Sequence, residues 1–171
     1  MLYDLQGEAN MTPIAGMLYS AVAQNNQRLQ LAVYGMSQAE ADYKGPDSGY
    51  NSTAQLIRHL TYVDLNWVYR MRGEPLPHSL QAKYGPMIDA DNRLPMVTGM
   101  PLSELLSNYE AVLTMLKNIC TELTDAELDK VVAFGHHNEK QATIRWGLWH
   151  IADHSRYHQA QINQLRKWYN Q

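Results

Sequence analysis

Helical periodicity over four long segments is the feature that most limits the fold of this chain. Each segment is about 20 residues long and carries apolar side chains at intervals of three and four, the spacing of one helix face. None of the four shows the sustained alternation that a strand requires. Four such helices with long connections predict an all-α protein, a four-helix bundle with long crossover connections.

Local signals predict where several of these helices begin and end. Ser52 with Gln55 three residues later is a capping-box pattern at the start of the second helix, and Gly73 marks its end. Thr143 is expected to cap the last helix. The sequence TDAELDK repeats the capping spacing with Thr124 and predicts a short helical turn.

The longest connection runs from residue 73 to residue 101. It contains five Pro and three Gly and shows no clear periodicity. A connection of this length in a compact domain is often a lid or a binding loop. We therefore expect either such a loop or short helices that the pattern does not reveal.

Composition excludes several classes of protein. The 171 residues predict a single domain over 1–171, and a net charge of -3 without a Lys/Arg cluster argues against nucleic acid as a partner. No stretch approaches the roughly 18 apolar residues that a membrane span needs. No basic segment leads into an apolar run near the N-terminus, so we expect a cytoplasmic protein. Cys120 lies on an apolar helix face, which predicts a buried structural thiol.

Three histidines, at positions 150, 154 and 158, follow one another at intervals of four in the last helix. Residues four apart stack on one face, but His150 and His158 are separated by roughly 12 Å along the axis, so one helix supplies a pair. His154 and His158 fill the gap in the apolar series between Ile151 and Ile162. His150 belongs to a neighbouring stripe that points toward the flank, so His154 and His158 are predicted to face the core.

The second helix also carries a histidine, His59, inside an apolar stripe. The stripe consists of Leu56, Leu60, Val63 and Trp67. Burying imidazoles without partners is unfavourable, and a divalent metal held by His59, His154 and His158 would satisfy all three. The alternative is that each is a core histidine hydrogen-bonded to a backbone carbonyl or a tyrosine.

The other polar candidates near these helices are predicted to lie outside the site. His78, His136 and His137 fall in connections, and Asp64, five residues after His59, is expected to be a solvated carboxylate with no catalytic role. The zincin motif requires a glutamate directly after its first histidine, and none follows His150. The sequence therefore gives no specific support for peptide hydrolysis.

Several short motifs, in their order and spacing, resemble those of the DinB/YfiT-like superfamily. They are NSTAQLIRHL in the second helix, LTDAELD before the last helix, HIADHSRYHQAQI within it and a closing Q-x-x-x-L-R. The resemblance extends from the first helix to Trp168. It departs from the usual YHRGQ at Gln159 and Ala160, which are not ligand positions.

The resemblance implies a four-helix bundle with a metal, nickel or zinc, held by His59, His154 and His158. Some relatives are transferases or isomerases that use a small thiol such as bacillithiol or mycothiol. We therefore expect a metal-dependent enzyme acting on a small molecule, with thiol transfer the favoured reaction and a small-molecule thiol as a cofactor. The alternatives are a metal-dependent hydrolase and a non-catalytic metal-binding or stress-response protein, with a haem-binding bundle a weaker third.

Large aromatic side chains near the ends of the last helix exceed what one small core needs. They are Trp146, Trp149, Trp168 and Tyr169. Exposed aromatic surface is commonly an interface, and relatives often pair, so we expect a homodimer.

Overall fold

Four long helices form a bundle in the residues that the structure, a computed structural model, describes, 1–135 and 137–171. The long helices are α1 (Pro13–Val33), α3 (Thr53–Arg72), α5 (Leu102–Glu122) and α6 (Ile144–Tyr169). Two short helices, α2 (Gln38–Asp42) and α4 (His78–Tyr84), lie in the connections. The predicted all-α four-helix bundle is confirmed.

Two of the three connections between the long helices run across a diagonal of the bundle, whereas the connection from α3 to α5 joins neighbours. Both α1 and α3 pack against α5 and α6, so α1 lies opposite α3 and α5 lies opposite α6. The chain must therefore cross the end of the bundle between α1 and α3 and again between α5 and α6. This arrangement explains why two of the connections are long.

A small hairpin in the second crossover was not predicted. Strands β1 (Val131–Phe134) and β2 (Lys140–Thr143) pair antiparallel, and a 3-10 turn at Glu127–Asp129 precedes them. Each strand has four residues, too few for alternation to be recognised in the sequence. The 3-10 turn confirms the short helical turn expected after Thr124.

The predicted helix ends are confirmed, and one of them also fixes the long connection. The Ser52 hydroxyl accepts a hydrogen bond from the Gln55 backbone N–H at 3.2 Å, and the Gln55 side chain accepts one from the Ser52 N–H at 2.9 Å. Gln55 Nε2 also donates to the carbonyl oxygens of Leu94 and Pro95, each at 3.1 Å. The capping box therefore holds the 73–101 connection against the start of α3.

Close packing between α3 and α6 depends on a glycine in α6. A Cβ added at Gly147 would lie 2.5 Å from a carbon of the Trp67 ring, which is closer than real Cβ contacts. Trp67 is almost fully buried, so the indole occupies the space that a side chain at position 147 would take. The absence of that side chain allows the two helices to approach at this level.

None of the helices in the described part of the chain is both long and apolar enough to cross a membrane.

Candidate metal centre

Three histidine side chains from two helices meet in the interior of the bundle. His59 lies on α3, and His154 and His158 lie on α6. His154 Nε2 is 3.2 Å from His59 Nε2 and 2.9 Å from His158 Nε2. One ring nitrogen from each residue lies within 4.8 Å of the other two. The structure thus brings together the three residues that the apolar stripes predicted.

The spacing of these nitrogens fits a divalent metal ion. Imidazole nitrogens bind zinc at 2.0–2.1 Å, which places two ligands on one ion about 2.9–3.4 Å apart for angles between octahedral and tetrahedral. The two measured separations, 2.9 and 3.2 Å, lie in that range. Three imidazole nitrogen donors suit a transition metal such as zinc, copper, iron or nickel.

Burial keeps these imidazoles neutral. Burial, with a smaller contribution from neighbouring histidines, lowers the pKa of His59 to about 4 and that of His154 to about 3. The pKa of His158 is also lowered, chiefly by burial. A metal binds the neutral form of histidine, so near pH 7 the lone pairs of the cluster are available without loss of a proton.

One ligand nitrogen is oriented by a neighbouring amide. His158 Nδ1 lies 2.7 Å from Gln161 Oε1, and an amide oxygen can only accept, so Nδ1 carries the proton. The Nε2 lone pair of His158 then faces the cluster. A hydrogen bond of this kind fixes the tautomer and the ring orientation of metal-binding histidines.

The contacts of the other two rings argue against ordinary core histidines. The Nδ1 atoms of His59 and His154 are buried and have no hydrogen-bond partner among the described residues. Neither ring therefore has the tyrosine or carbonyl partner at Nδ1 that the alternative required. Their nearest polar partners are the Nε2 atoms of the cluster itself.

The remaining histidines lie outside the cluster. His150 is half-buried, and its ring stacks on Trp146 at 4.7 Å and on His154 at 5.3 Å between ring centroids. His78 and His137 are exposed, and His136 lies outside the described residues. His150 therefore supports a cluster residue by packing, as expected for a residue on the flanking stripe.

Asp64 was expected to be solvated, and this expectation was wrong. The side chain is fully buried and its Oδ2 accepts a hydrogen bond from the Tyr109 hydroxyl at 3.0 Å. Because α3 packs against α5 as well as α6, a residue that turns away from the histidine face still lies inside the protein. Burial raises the pKa of Asp64 to about 8, although the Tyr109 hydrogen bond opposes the rise.

Asp64 belongs to a buried polar network. Ser155 on α6 interacts with the Tyr109 hydroxyl and lowers its pKa against the larger effect of burial, and the Ser155 hydroxyl accepts from Gln159 Nε2 at 3.0 Å. Gln159 Nε2 donates in addition to the Asn25 carbonyl on α1 at 2.8 Å. The network therefore reaches all four long helices. Gln159, which stands where the family motif usually has an arginine, therefore links α6 to α1.

The sequence is similar to those of known proteins. Residues 21–162 match the family model of the DinB superfamily. The chain is 43% identical over 169 residues to the uncharacterized protein YkkA of Bacillus subtilis (strain 168), covering 98% of this chain and 95% of that protein.

A solved structure has a similar fold. It is YfiT from Bacillus subtilis, described as a probable metal-dependent hydrolase with an unusual four-helix bundle topology. The TM-score is 0.66 at 18% sequence identity, and the match covers 90% of this chain and 86% of that one. At this identity the likeness shows a shared fold.

Removal of a cluster imidazole should abolish metal binding. We expect His59→Ala, His154→Ala and His158→Ala each to lose most of one bound divalent ion per chain, because two nitrogens cannot replace three. His150→Ala is the matched control and should keep the ion. The measurement is elemental analysis after dialysis. A metal-free His150→Ala together with a fully loaded His158→Ala would contradict the ligand assignment.

Asp64 should make the free energy of unfolding fall as pH rises. Its pKa is about 8 in the folded protein and 3.8 in the reference state, so the folded state holds the proton more tightly. The associated stability is complete below the reference pKa and is lost as pH rises through the folded pKa.

Asp64→Asn should remove this dependence. Between the two pKa values, the wild-type free energy of unfolding should fall relative to the variant by up to about 1.4 kcal/mol per pH unit. Urea unfolding at several pH values measures the difference, and Asp47→Asn, at an exposed position, is the control. Parallel curves for wild type and Asp64→Asn would show that the carboxyl titrates normally.

Proposed function

This chain belongs to the DinB superfamily, and on that premise we propose that it is a metal-dependent enzyme with its active centre at His59, His154 and His158. The observation that carries the proposal is the convergence of three neutral imidazole nitrogens from two helices. When bound, a divalent ion would act as a Lewis acid with its full 2+ charge, because the three neutral ligands carry no negative charge to offset it.

The residues around the centre prepare it for this chemistry. Burial keeps the histidines unprotonated, and Gln161 holds His158 with Nε2 toward the cluster. Stacking of the His150 ring on the His154 ring limits rotation of His154. Three ligands leave at least one coordination position for a substrate or a nucleophile, the arrangement of catalytic rather than structural sites.

Hydrolysis is the reaction that we place first. It requires only water as the second reactant, and the similar YfiT structure is described as a probable metal-dependent hydrolase. Thiol transfer, which the family resemblance implies, is the second candidate. It needs an external thiol because Cys120 is fully buried, and burial raises the pKa of its thiol to about 12.

One substrate panel separates the two reactions. We expect zinc- or nickel-loaded protein to hydrolyse small esters or amides, with no turnover after chelation. If turnover instead appears only with N-acetylcysteine and an electrophilic haloarene, the enzyme is a thiol transferase. Protein that binds metal and turns over neither class would contradict the enzymatic proposal and favour a non-catalytic metal-binding role.

The orientation of His158 by Gln161 gives a further test of the centre. Gln161→Ala should lower metal affinity or turnover by about 10–100-fold, the usual effect of removing such a hydrogen bond. Gln164→Ala, at an exposed position three residues further along α6, should change neither. Competition with a metal-binding dye measures the affinity. Equal affinities for the two variants would show that Gln161 does not act on the centre.

We also propose a homodimer formed through aromatic residues of α6. Trp146, Trp149 and Tyr169 are exposed, whereas Trp168 is partly buried against Tyr50 with ring centroids 4.8 Å apart. Light scattering should give twice the 19.6 kDa of one chain. Trp149→Glu should yield monomers because a charge would be buried, and Tyr34→Glu, at an exposed position after α1, is the control. A mass of one chain at all concentrations would exclude the dimer.

A further inference from the structure

A groove with a volume of about 560 Å³ lies beside the metal centre, where α3 ends and α6 begins. Its walls come from α3, the 73–101 connection, the hairpin and α6. Volumes of 300–1,000 Å³ are typical of sites for small molecules. The 73–101 connection contributes Met87 and Ile88, so part of it forms a wall of this groove.

The groove begins one helical turn from the ligands on both helices. Val63, which lines it, follows His59 by four residues on α3, and His150, which also lines it, precedes His154 by four residues on α6. The stacked rings of His150 and His154 have centroids 5.3 Å apart. The groove therefore reaches a ring, His150, that is stacked directly on a ligand ring.

One wall of the groove is aromatic. The Trp67 ring lies 5.4 Å from the Phe134 ring of the hairpin and 5.9 Å from the His150 ring, between centroids. Phe134, Met87 and Ile88 are only partly buried and offer flat and flexible apolar surface, whereas Trp67 is almost fully buried and supports this wall from behind. Such a wall favours an apolar ligand body.

One cation lies in the groove. The Arg70 guanidinium stands over the Trp67 ring, 5.3 Å from its centroid, and is partly buried. No carboxylate of the described residues forms an ion pair with Arg70, and no hydrogen bond to its side chain is formed there. Burial lowers the pKa of Arg70, which shows that its charge is incompletely solvated. An anion would compensate the charge in a way that the protein does not.

We propose that this groove is the substrate site and that it binds a small organic anion. The apolar body of the ligand packs on Phe134, Met87 and Ile88, and its carboxylate pairs with Arg70 where the guanidinium lies over the Trp67 ring. That the bound anion is a substrate rests on the proposed function, whereas binding of the anion does not require turnover. A smaller depression of about 260 Å³ at the other end of α6 contains Trp168 and no charged lining residue, so it offers the anion no partner.

Hydrocinnamate and its neutral amide, hydrocinnamamide, are suitable probes because they differ only in the charge that Arg70 would recognise. Binding is followed by proton–nitrogen correlation NMR of the tryptophan indoles, on zinc-loaded and on chelator-treated protein. We expect the Trp67 signal to move and the Trp168 signal to stay. The acid should bind at least about tenfold more tightly than the amide, the usual effect of one charge-assisted hydrogen-bonded pair.

Arg70→Gln should weaken binding of the acid by about tenfold or more and leave the amide unaffected. Arg72→Gln, on the exposed side of the same helix, is the matched control and should bind like wild type. Ile88→Glu is an independent variant on the connection, and its added carboxylate should weaken binding of the acid by a similar factor. Equal binding of acid and amide, or equal binding by Arg70→Gln and wild type, would overturn the proposal.

The metal-free sample separates this inference from the proposed function. If the carboxylate binds at the metal itself, its affinity should fall on chelation and should not depend on Arg70. That result would overturn the groove assignment. Binding that depends on Arg70 in both samples supports it, even if no metal-dependent turnover is found. Turnover that is unchanged in Arg70→Gln would overturn the substrate site and leave the metal-dependent enzyme intact.

Discussion

The contact between α3 and α6 is the interaction on which the candidate centre and the groove beside it depend. It brings His59 to within 3.2 Å of His154, and at the next level Trp67 fills the space above Gly147. The same two helices then form the floor of the groove beside the centre. A change in their separation would therefore alter the ligand spacing, the aromatic wall and the position of Arg70 together.

Sequence reasoning found the centre because each of its histidines interrupts an apolar stripe. It failed at Asp64 because it treated each helix as having one buried face, whereas α3 is covered by α5 as well as α6. The contact that buries Asp64 comes from Tyr109, which is 45 residues away in the sequence, so no local pattern could reveal it. The sequence also did not predict the groove, because its walls come from four separate segments.

Burial favours the uncharged form of the clustered histidines and of Asp64. Burial lowers the pKa values of the three clustered histidines and raises that of Asp64, and both shifts favour the neutral form. Acid charges the histidines and base charges the aspartate, so the two kinds of group penalise opposite ends of the pH scale. Arg70 differs from these groups, because a guanidinium stays protonated and must find a counter-charge or water.

The order of the helices along the chain determines which part of it a bound ion would cross-link. His59 and His154 are separated by 95 residues, and the whole of α5 lies between them whereas α1 does not. An ion held by both histidines would close a loop around α5 and restrict the unfolded chain as a long cross-link does. In the metal-bound protein, α1 is the one long helix that lies outside the closed loop and can detach without opening it.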